Sequence, residues 1–241
     1  MPVNNRIAAR ADTITGWRRE LHQNPEIMYD LPQTMAYMAA KLRSFGCDEV
    51  VEGLGRTGVV GLIKGSKGEG PTVGLRSDMD ALPILEETGK SHASTVPGKM
   101  HACGHDGHMA MLLGAAEHLC ETRGFAGSVA VIFQPAEEVG AGAKAMMDDG
   151  LFERFGIAEV YGMHNYPGFP VGTFAIRPGP IMAATDIFAI EVTGVGGHAA
   201  RPHTGIDPVV ASAHIITALQ TIASRNADPL ESLVVSVTTI H

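Results

Sequence analysis

The segment from His101 to His108, HACGHDGH, places one thiol and three imidazoles within eight residues. Thiolates and imidazole nitrogens are the side-chain donors that bind borderline-soft divalent metals. Cys103 and His105 are separated by one residue, so in an open loop both can face one point, whereas on a helix they would diverge by roughly 200°. A buried cysteine beside surface histidines is the alternative interpretation. The density of the segment favours a metal site.

Further donor side chains follow two other predicted strands. Glu137 and Glu138 follow the apolar run 128–133 and the break at Gln134-Pro135, where one carboxylate can bind a metal while its neighbour holds a water. A solvated helix start, which also favours glutamate, is the alternative. His164 ends the predicted strand 158–164. A lone histidine there is more often structural, but ligand sites in α/β sheets lie at the carboxyl ends of strands.

Two acidic residues follow an earlier strand, in the segment RSDMDALP. Asp78 and Asp80 could orient a metal-bound histidine from behind, which metal sites commonly require. Asp80 could equally cap the turn that follows. The residues alone leave both possibilities open.

The elements that must position these side chains alternate between strand and helix. Alternation of this kind predicts an α/β sheet with helices on its faces. The loop KGSKGEGP, between the first two strands, predicts a hairpin. After Pro178-Gly179-Pro180 a strand, a helix and a strand predict a second domain. The predicted helices are 7–21, 33–45, 109–120, 141–149 and 208–224, and the predicted strands are 58–63, 72–75, 128–133, 158–164, 187–193 and 233–240.

Composition excludes several classes of partner. The net charge of −8 and the pI near 5.7 argue against binding nucleic acid or an anionic membrane surface, so a small soluble substrate is expected. The N-terminus has no apolar region of the kind a secretory signal requires. Three cysteines are an odd and small number for a chain of this length and indicate reduced thiols. These features predict a cytoplasmic protein.

Taken together, five segments resemble the M20 metallopeptidase superfamily, in its amidohydrolase branch of hippurate, N-acyl-amino-acid and auxin-conjugate hydrolases. They are RSDMDALP, MHACGHDGHMAMLLGAA, FQPAEEVGAGAKAMMDDG, YGMHNYP and GVGGHAARPHTGIDP. LHQNPE, near the N-terminus, is similar to the opening of the family. The resemblance implies a mixed-sheet, zinc-peptidase-like α/β catalytic domain over residues 1–183 and a partial α+β lid, or dimerisation, domain over residues 184–241.

The resemblance also implies a reaction and a site. Members hold two divalent ions (Zn, Mn, Co or Ni) and hydrolyse the amide bond of N-acyl amino acids such as hippurate, commonly as homodimers formed through the lid. At the positions that match the family motifs, the resemblance implies that Glu137 is the general base and that His198 of the lid stabilises the oxyanion. His203 carries the same imidazole group and is the alternative to His198 by composition. The metal ligands implied are Cys103, His105, Glu138 and His164.

Members of the family continue beyond the position of His241. They complete the lid, return to the catalytic sheet and supply a further histidine ligand. The resemblance therefore implies a chain shortened at its C-terminus, with one metal lacking a ligand and with weaker turnover than complete relatives. The alternative to an enzyme is a shortened relative that binds metal or another chain without turnover.

Overall fold

The computed structural model describes residues 4–241, and the chain divides into two compact units, one ending at Ile181 and one spanning Met182–His241. The predicted domain boundary lies after residue 183, close to this division; the roles of the two domains stay predictions. In the first unit the helices are α1 (Asn5–Ala8), α2 (Ala11–Gln23), α3 (Pro32–Phe45), α4 (His105–Thr122), α5 (Gly142–Asp148) and α6 (Leu151–Phe155). Its strands are β1 (Glu49–Leu54), β2 (Gly58–Lys64), β3 (Thr72–Asp78), β4 (Ser128–Gln134) and β5 (Ile157–Gly162).

The five strands form one mixed sheet in the order β1-β2-β4-β3-β5. β3 runs parallel to both β4 and β5, while β2 runs antiparallel to β1 and β4. In the parallel part Asp78 pairs with Gln134, and Arg76 pairs with Gly162. The carboxyl ends of β3, β4 and β5 therefore lie side by side at one edge, and the mixed α/β fold predicted for this region is confirmed.

β4 is buried on both faces, as its apolar sequence SVAVIFQ predicts. Val131 and Phe133 belong to a core with residues of α2, α3 and α4, whereas Ala130 and Ile132 belong to a second core with α5 and α6. This alternation follows from the two-residue period of a strand. Helices consequently cover both faces of the sheet.

The hairpin predicted between β2 and β3 is wrong. β4, which comes much later in the chain, lies between these two strands and pairs with both. The glycine-rich loop instead bonds to the segment before β4: Gly65 N–H donates to Gly127 O at 2.9 Å, and Gly127 N–H donates to Gly68 O at 2.9 Å. The loop sequence indicates a turn, but it does not specify which strands pair across it.

Two polar residues of LHQNPE have buried roles in the first unit. The Glu26 carboxylate accepts the N–H groups of Gln33 and Thr34, at 3.2 and 2.8 Å, and so caps the N-terminus of α3. His22 Nδ1 lies 2.8 Å from Asp106 Oδ2 in the first turn of α4. The motif therefore joins α2, α3 and α4 through polar contacts.

The second unit contains a helix, α7 (Pro208–Thr221), followed by a π-helical turn, Ile222–Asn226. Asp207 caps α7 by accepting the N–H of Val209 at 2.8 Å. The strands predicted at 187–193 and 233–240 are not formed. Within 182–241 the one pairing between extended residues is an isolated bridge, Val195 with Ile206, and a strand needs a paired neighbour to satisfy its backbone groups.

Among residues 4–241, none of the helices combines the length and the apolar character that crossing a bilayer requires.

Candidate metal centre

The predicted site residues of the first unit converge where β3, β4 and β5 end. Asp78 is the last residue of β3 and Asp80 follows it, Glu137 and Glu138 come shortly after β4, and His164 comes shortly after β5. His105 is the first residue of α4. Cys103 lies just before that helix, so these two side chains are not on a common helix, as the spacing argument required.

His105 is fully buried and its tautomer is fixed by one bond. Its Nδ1 lies 2.7 Å from the backbone carbonyl oxygen of Asp80, an atom that can only accept, so Nδ1 carries the proton. The lone pair is therefore on Nε2, which is buried without a hydrogen-bond partner. Three carboxylates lie around this nitrogen: Asp78 Oδ2 at 3.6 Å, Glu137 Oε2 at 3.7 Å and Glu138 Oε1 at 3.7 Å.

The four side chains predicted as ligands lie close together. Donor atoms of Cys103, His105 and Glu138 all lie within 4.8 Å of one another. His164 Nε2 lies 3.4 Å from Cys103 Sγ. A second group of donors within the same limit joins His164 and His105 to Asp78 and His108. The two groups share His105, so this edge of the sheet offers two adjoining sets of donors.

The residues present fit a divalent metal. Glu138 Oε1, like His105 Nε2, is buried without a hydrogen-bond partner, and such unpaired polar atoms are costly unless something binds them. Burial and the neighbouring charge of Glu138 raise the pKa of Cys103 to about 12, and burial raises the pKa of Glu138 above its usual value. A cation among these donors would reverse both effects by stabilising the thiolate and the carboxylate. Sulfur, imidazole and carboxylate form the donor set expected for a borderline-soft ion.

Asp80 contacts His105, as one of the two alternatives expected, and the N–H groups that its carboxylate accepts lie in a distant segment rather than in the turn that follows it. Its carbonyl oxygen orients His105, and its buried carboxylate accepts the backbone N–H of Glu137 at 2.9 Å and of Glu138 at 3.1 Å. Both glutamates are thereby held at the end of β4. The turn that carries them is tight, since a Cβ at Gly142 would lie 1.6 Å from Pro135 O, so only glycine fits there.

Asp78 is hydrogen-bonded to His108, whereas Asp80 is bonded to His105. Burial opposes its charge, but the hydrogen bond from His108 and the nearby His105 and Arg76 outweigh it, and they lower the pKa of Asp78 to about 2. Arg76 donates to Asp78 at 2.9 Å and to Gln134 at 2.8 Å. Asp78 is therefore an ionised, positioned carboxylate.

His108 and Asn165 have a positioning role that sequence reasoning missed. His108 Nδ1 donates to Asp78 Oδ1 at 2.7 Å, and its Nε2 contacts Asn165 twice, 3.0 Å from the backbone nitrogen, whose N–H it accepts, and 2.5 Å from the side-chain Oδ1. This bond holds the loop of His164, whose ring lies 4.6 Å from that of His108 between centroids. Gly104, with a φ of 95°, makes room, because a Cβ there would lie 2.5 Å from Asn165 Oδ1. The signal was present in the third histidine of HACGHDGH.

The remaining imidazoles of the predicted motifs belong to neither of these donor groups. His101 is buried with an unpaired Nδ1, and burial lowers its pKa to about 4, so its ring is neutral near pH 7. His198, in the second unit, is exposed, and its Nδ1 accepts the N–H of Ala200 at 3.1 Å. His203 is exposed in a 3-10 turn, Pro202–Thr204. The oxyanion role of His198 stays a prediction.

Comparison with known proteins identifies relatives over almost the whole chain. An N-acetyl-L-cysteine deacetylase of Bacillus subtilis (strain 168) is 45% identical over 241 residues, which is 100% of this chain and 56% of the relative. A hippurate hydrolase of Campylobacter jejuni is 46% identical over 220 residues, 91% of this chain and 57% of the relative. The chain thus spans somewhat more than half the length of these relatives.

A solved structure agrees with the sequence relatives. The crystal structure of a dinuclear metal-binding peptidase of the M20 family from Bacillus subtilis matches with a TM-score of 0.70 and 35% identity, over 89% of this chain and 57% of that chain. The sequence model that describes peptidase family M20/M25/M40 matches residues 74–240 of this chain, a range that includes every predicted site residue. The resemblance read from the motifs is thereby confirmed: the chain belongs to peptidase family M20/M25/M40.

Proposed function

We propose that this chain forms the metal-binding part of an amidohydrolase that cleaves the amide bond of N-acyl amino acids. The names of the hippurate hydrolase and N-acetyl-L-cysteine deacetylase relatives describe hydrolysis of small N-acylated amino acids. The observation that carries the proposal is the convergence of Cys103, His105 and Glu138 donor atoms within 4.8 Å, with a buried, unpaired nitrogen and oxygen among them.

Cys103, His105, Glu138 and His164 would hold two divalent ions, with Zn, Mn, Co or Ni as candidates for this donor set. When bound, such ions polarise a carbonyl and lower the pKa of water. His105 is oriented for this by Asp80, and His164 by the contact of its loop with His108.

Glu137 is the candidate general base. Its side chain is 34% exposed, while that of Glu138 is 19% exposed, and its Oε2 lies 3.7 Å from His105 Nε2. Asp80 binds the backbone of Glu137 and leaves the carboxylate free to take a proton from water. The water oxygen bonds to the amide carbon, the C–N bond breaks, and Glu137 passes the proton to the leaving amine.

The complete enzyme would be a homodimer formed through the second unit, with His198 stabilising the oxyanion. A donor aimed at developing negative charge typically contributes about 3 kcal/mol to the barrier reduction. We also propose that the protein is cytoplasmic. Its substrate in this proposal is a small N-acyl amino acid rather than a nucleic acid or a membrane.

The test combines metal analysis with an assay of hippurate and N-acetyl-L-cysteine hydrolysis on the purified protein. Glu137→Gln should keep the metal content and lower kcat by about a hundredfold to ten-thousandfold, since it removes the proton carrier. Glu153→Gln, at an exposed position of α6, is the matched control. Retained turnover in Glu137→Gln would refute the base assignment. Bound metal without turnover in the unaltered protein would favour a metal-binding relative that is not an enzyme.

A further inference from the structure

Two thiols outside the metal centre lie in contact. Cys47 Sγ and Cys120 Sγ are 3.7 Å apart, although 73 residues separate them in the chain. Cys47 follows Gly46, the residue that ends α3, and Cys120 lies in the last turns of α4. The sequence, with its odd number of cysteines, predicted reduced thiols and no pairing.

Arg123 holds the two segments together. Its guanidinium donates to Asp48 Oδ2 at 2.7 Å and to Gly46 O at 2.7 Å, on either side of Cys47, and to Cys120 O at 3.2 Å. The thiol pair therefore lies inside a clamp that fixes both chain segments. Both side chains belong to, or pack against, the main core, with Cys120 8% exposed and Cys47 half-buried.

We propose that Cys47 and Cys120 are a site of reversible disulfide formation that joins the end of α3 to the end of α4. The oxidant is a small peroxide, because Cys120 is too buried to meet a bulky disulfide. A disulfide requires the sulfur atoms to approach to about 2.05 Å, and side-chain rotation can provide this movement where the backbone segments are already adjacent.

The reaction balances with hydrogen peroxide as the two-electron oxidant. The hydrogen bond from Cys47 outweighs burial, which opposes ionisation, and together with the nearby Arg123 it lowers the pKa of Cys120, so we assign Cys120 as the attacking thiolate. Its thiolate attacks the peroxide to give a sulfenic acid, and hydroxide leaves to become water. The Cys47 sulfur then attacks the sulfenic sulfur, the S–O bond breaks and a second water leaves. Two thiols and one peroxide give one disulfide and two waters.

The bond should stabilise the fold without altering the metal centre. The disulfide would close a loop of 73 residues that contains β1, β2, β3 and most of α4, and cross-links over long loops restrict the unfolded chain most. Cys120 lies 15 positions along α4 from His105, which is about 22 Å at 1.5 Å per residue.

The experiment treats the purified protein with dilute hydrogen peroxide, blocks free thiols and analyses the intact mass and a non-reduced tryptic digest. We expect loss of two hydrogen atoms and a link between peptides 44–56 and 100–123. Because the second peptide carries both Cys103 and Cys120, the digest is repeated on Cys103→Ser, in which the link must persist. Cys120→Ser and Cys47→Ser must each abolish it.

Thermal unfolding supplies a second measurement. Oxidation should raise the melting temperature by about 5 °C or more, dithiothreitol should reverse the rise, and Cys47→Ser should show no rise while keeping its metal content. Recovery of Cys47 and Cys120 as free or separately oxidised residues would overturn the proposal. So would a link that is lost in Cys103→Ser. Neither result depends on whether the protein hydrolyses N-acyl amino acids.

Discussion

The two ends of α4 are held by contacts of opposite kinds. In its first turn the buried polar side chains of His105, Asp106 and His108 each bind a group from another element. Along its middle and last turns Leu113, Ala116 and Cys120 pack in the main core. One helix thus carries residues of the candidate metal centre at its start and packs in the hydrophobic core along its length. Metal binding and fold stability should therefore respond to different substitutions on it.

Replacement of the first residue of α4 gives the largest expected effect. His105→Ala removes the buried nitrogen common to both donor groups, so metal affinity should fall by more than about a hundredfold, beyond the 10–100-fold typical of residues that only support ligands. Titration with zinc followed by equilibrium dialysis measures this. His214→Ala, at an exposed position of α7, is the control. Unchanged affinity in His105→Ala would contradict the assigned centre.

A substitution in the middle of the same helix should lower the stability of the fold and leave metal binding unchanged. Leu113 is fully buried, so Leu113→Ala should lower the free energy of unfolding by about 2–5 kcal/mol through lost burial and a cavity. Chemical denaturation measures the loss, and the folded fraction should still bind the wild-type amount of metal. Met111→Ala, at a position 44% exposed, should change stability little. Equal loss in both variants would show that the helix is not packed as described.

The positioning role of His108 predicts a smaller effect on the metal centre. His108→Ala frees the loop of His164 and leaves Asp78 without its partner, so metal affinity should fall by about 10–100-fold. His108→Gln should lose less, because its amide oxygen can still accept the N–H of Asn165. Dialysis against zinc compares the two variants. If alanine and glutamine lose affinity equally, the bond to Asn165 is not what holds His164.

The polar contacts behind the first turn predict a pH-dependent effect. Burial opposes the charge of Glu86, but bonds from Ser94, Thr88 and His22 outweigh it and lower its pKa from 4.5 to about 2. A carboxylate whose pKa is lower in the folded than in the unfolded chain stabilises the fold at pH values above the unfolded-state pKa. This stabilisation is lost as the pH falls from about 4.5 toward 2. Glu86→Gln should therefore cost about 1–2 kcal/mol at pH 7.

The free energy of unfolding of Glu86→Gln should approach that of the parent protein as the pH is lowered, because the Glu86 carboxylate of the parent then becomes protonated and loses its charge. Urea unfolding at several pH values between 2 and 7 measures the difference. The neighbouring Glu87→Gln, at an exposed residue, provides the matched control. A difference that stays constant with pH would exclude a contribution from the ionised Glu86 side chain.

Local patterns predicted most elements of the first unit. Gly46 ends α3 in the left-handed conformation, at a φ of 85°, as a glycine after a helical pattern predicts. The apolar run at 128–133 became β4. Helix α4, however, begins at His105 rather than at residue 109, because polar, buried side chains in its first turn hide the helical pattern of apolar residues.

Contacts between distant segments escaped prediction. The pairing of β2 with β4 depends on the whole sheet, so the nearby glycine loop suggested a hairpin that does not form. In the second unit, the strand-helix-strand pattern of the sequence predicted strands where no ladder exists within 182–241. The bond between His108 and Asn165 joins residues 57 positions apart, and although the third histidine of HACGHDGH indicated a polar role, nothing in the local sequence indicated its partner. Residue types and spacing indicated Cys103, His105, the Glu137-Glu138 pair and His164 as candidate donors, the family resemblance assigned four ligands among them, and their roles still await the tests above.

The position of β4 also constrains the order in which the chain can be assembled as it is synthesised. β2 and β3 leave the ribosome first but share no hydrogen bonds with each other, since each pairs with β4. The two strands therefore cannot be joined in one sheet until residue 134 has emerged, and the edge that each of them presents to β4 stays unpaired until then. Because non-local pairing of this kind is slow, the nascent chain before that point is the stage most exposed to aggregation.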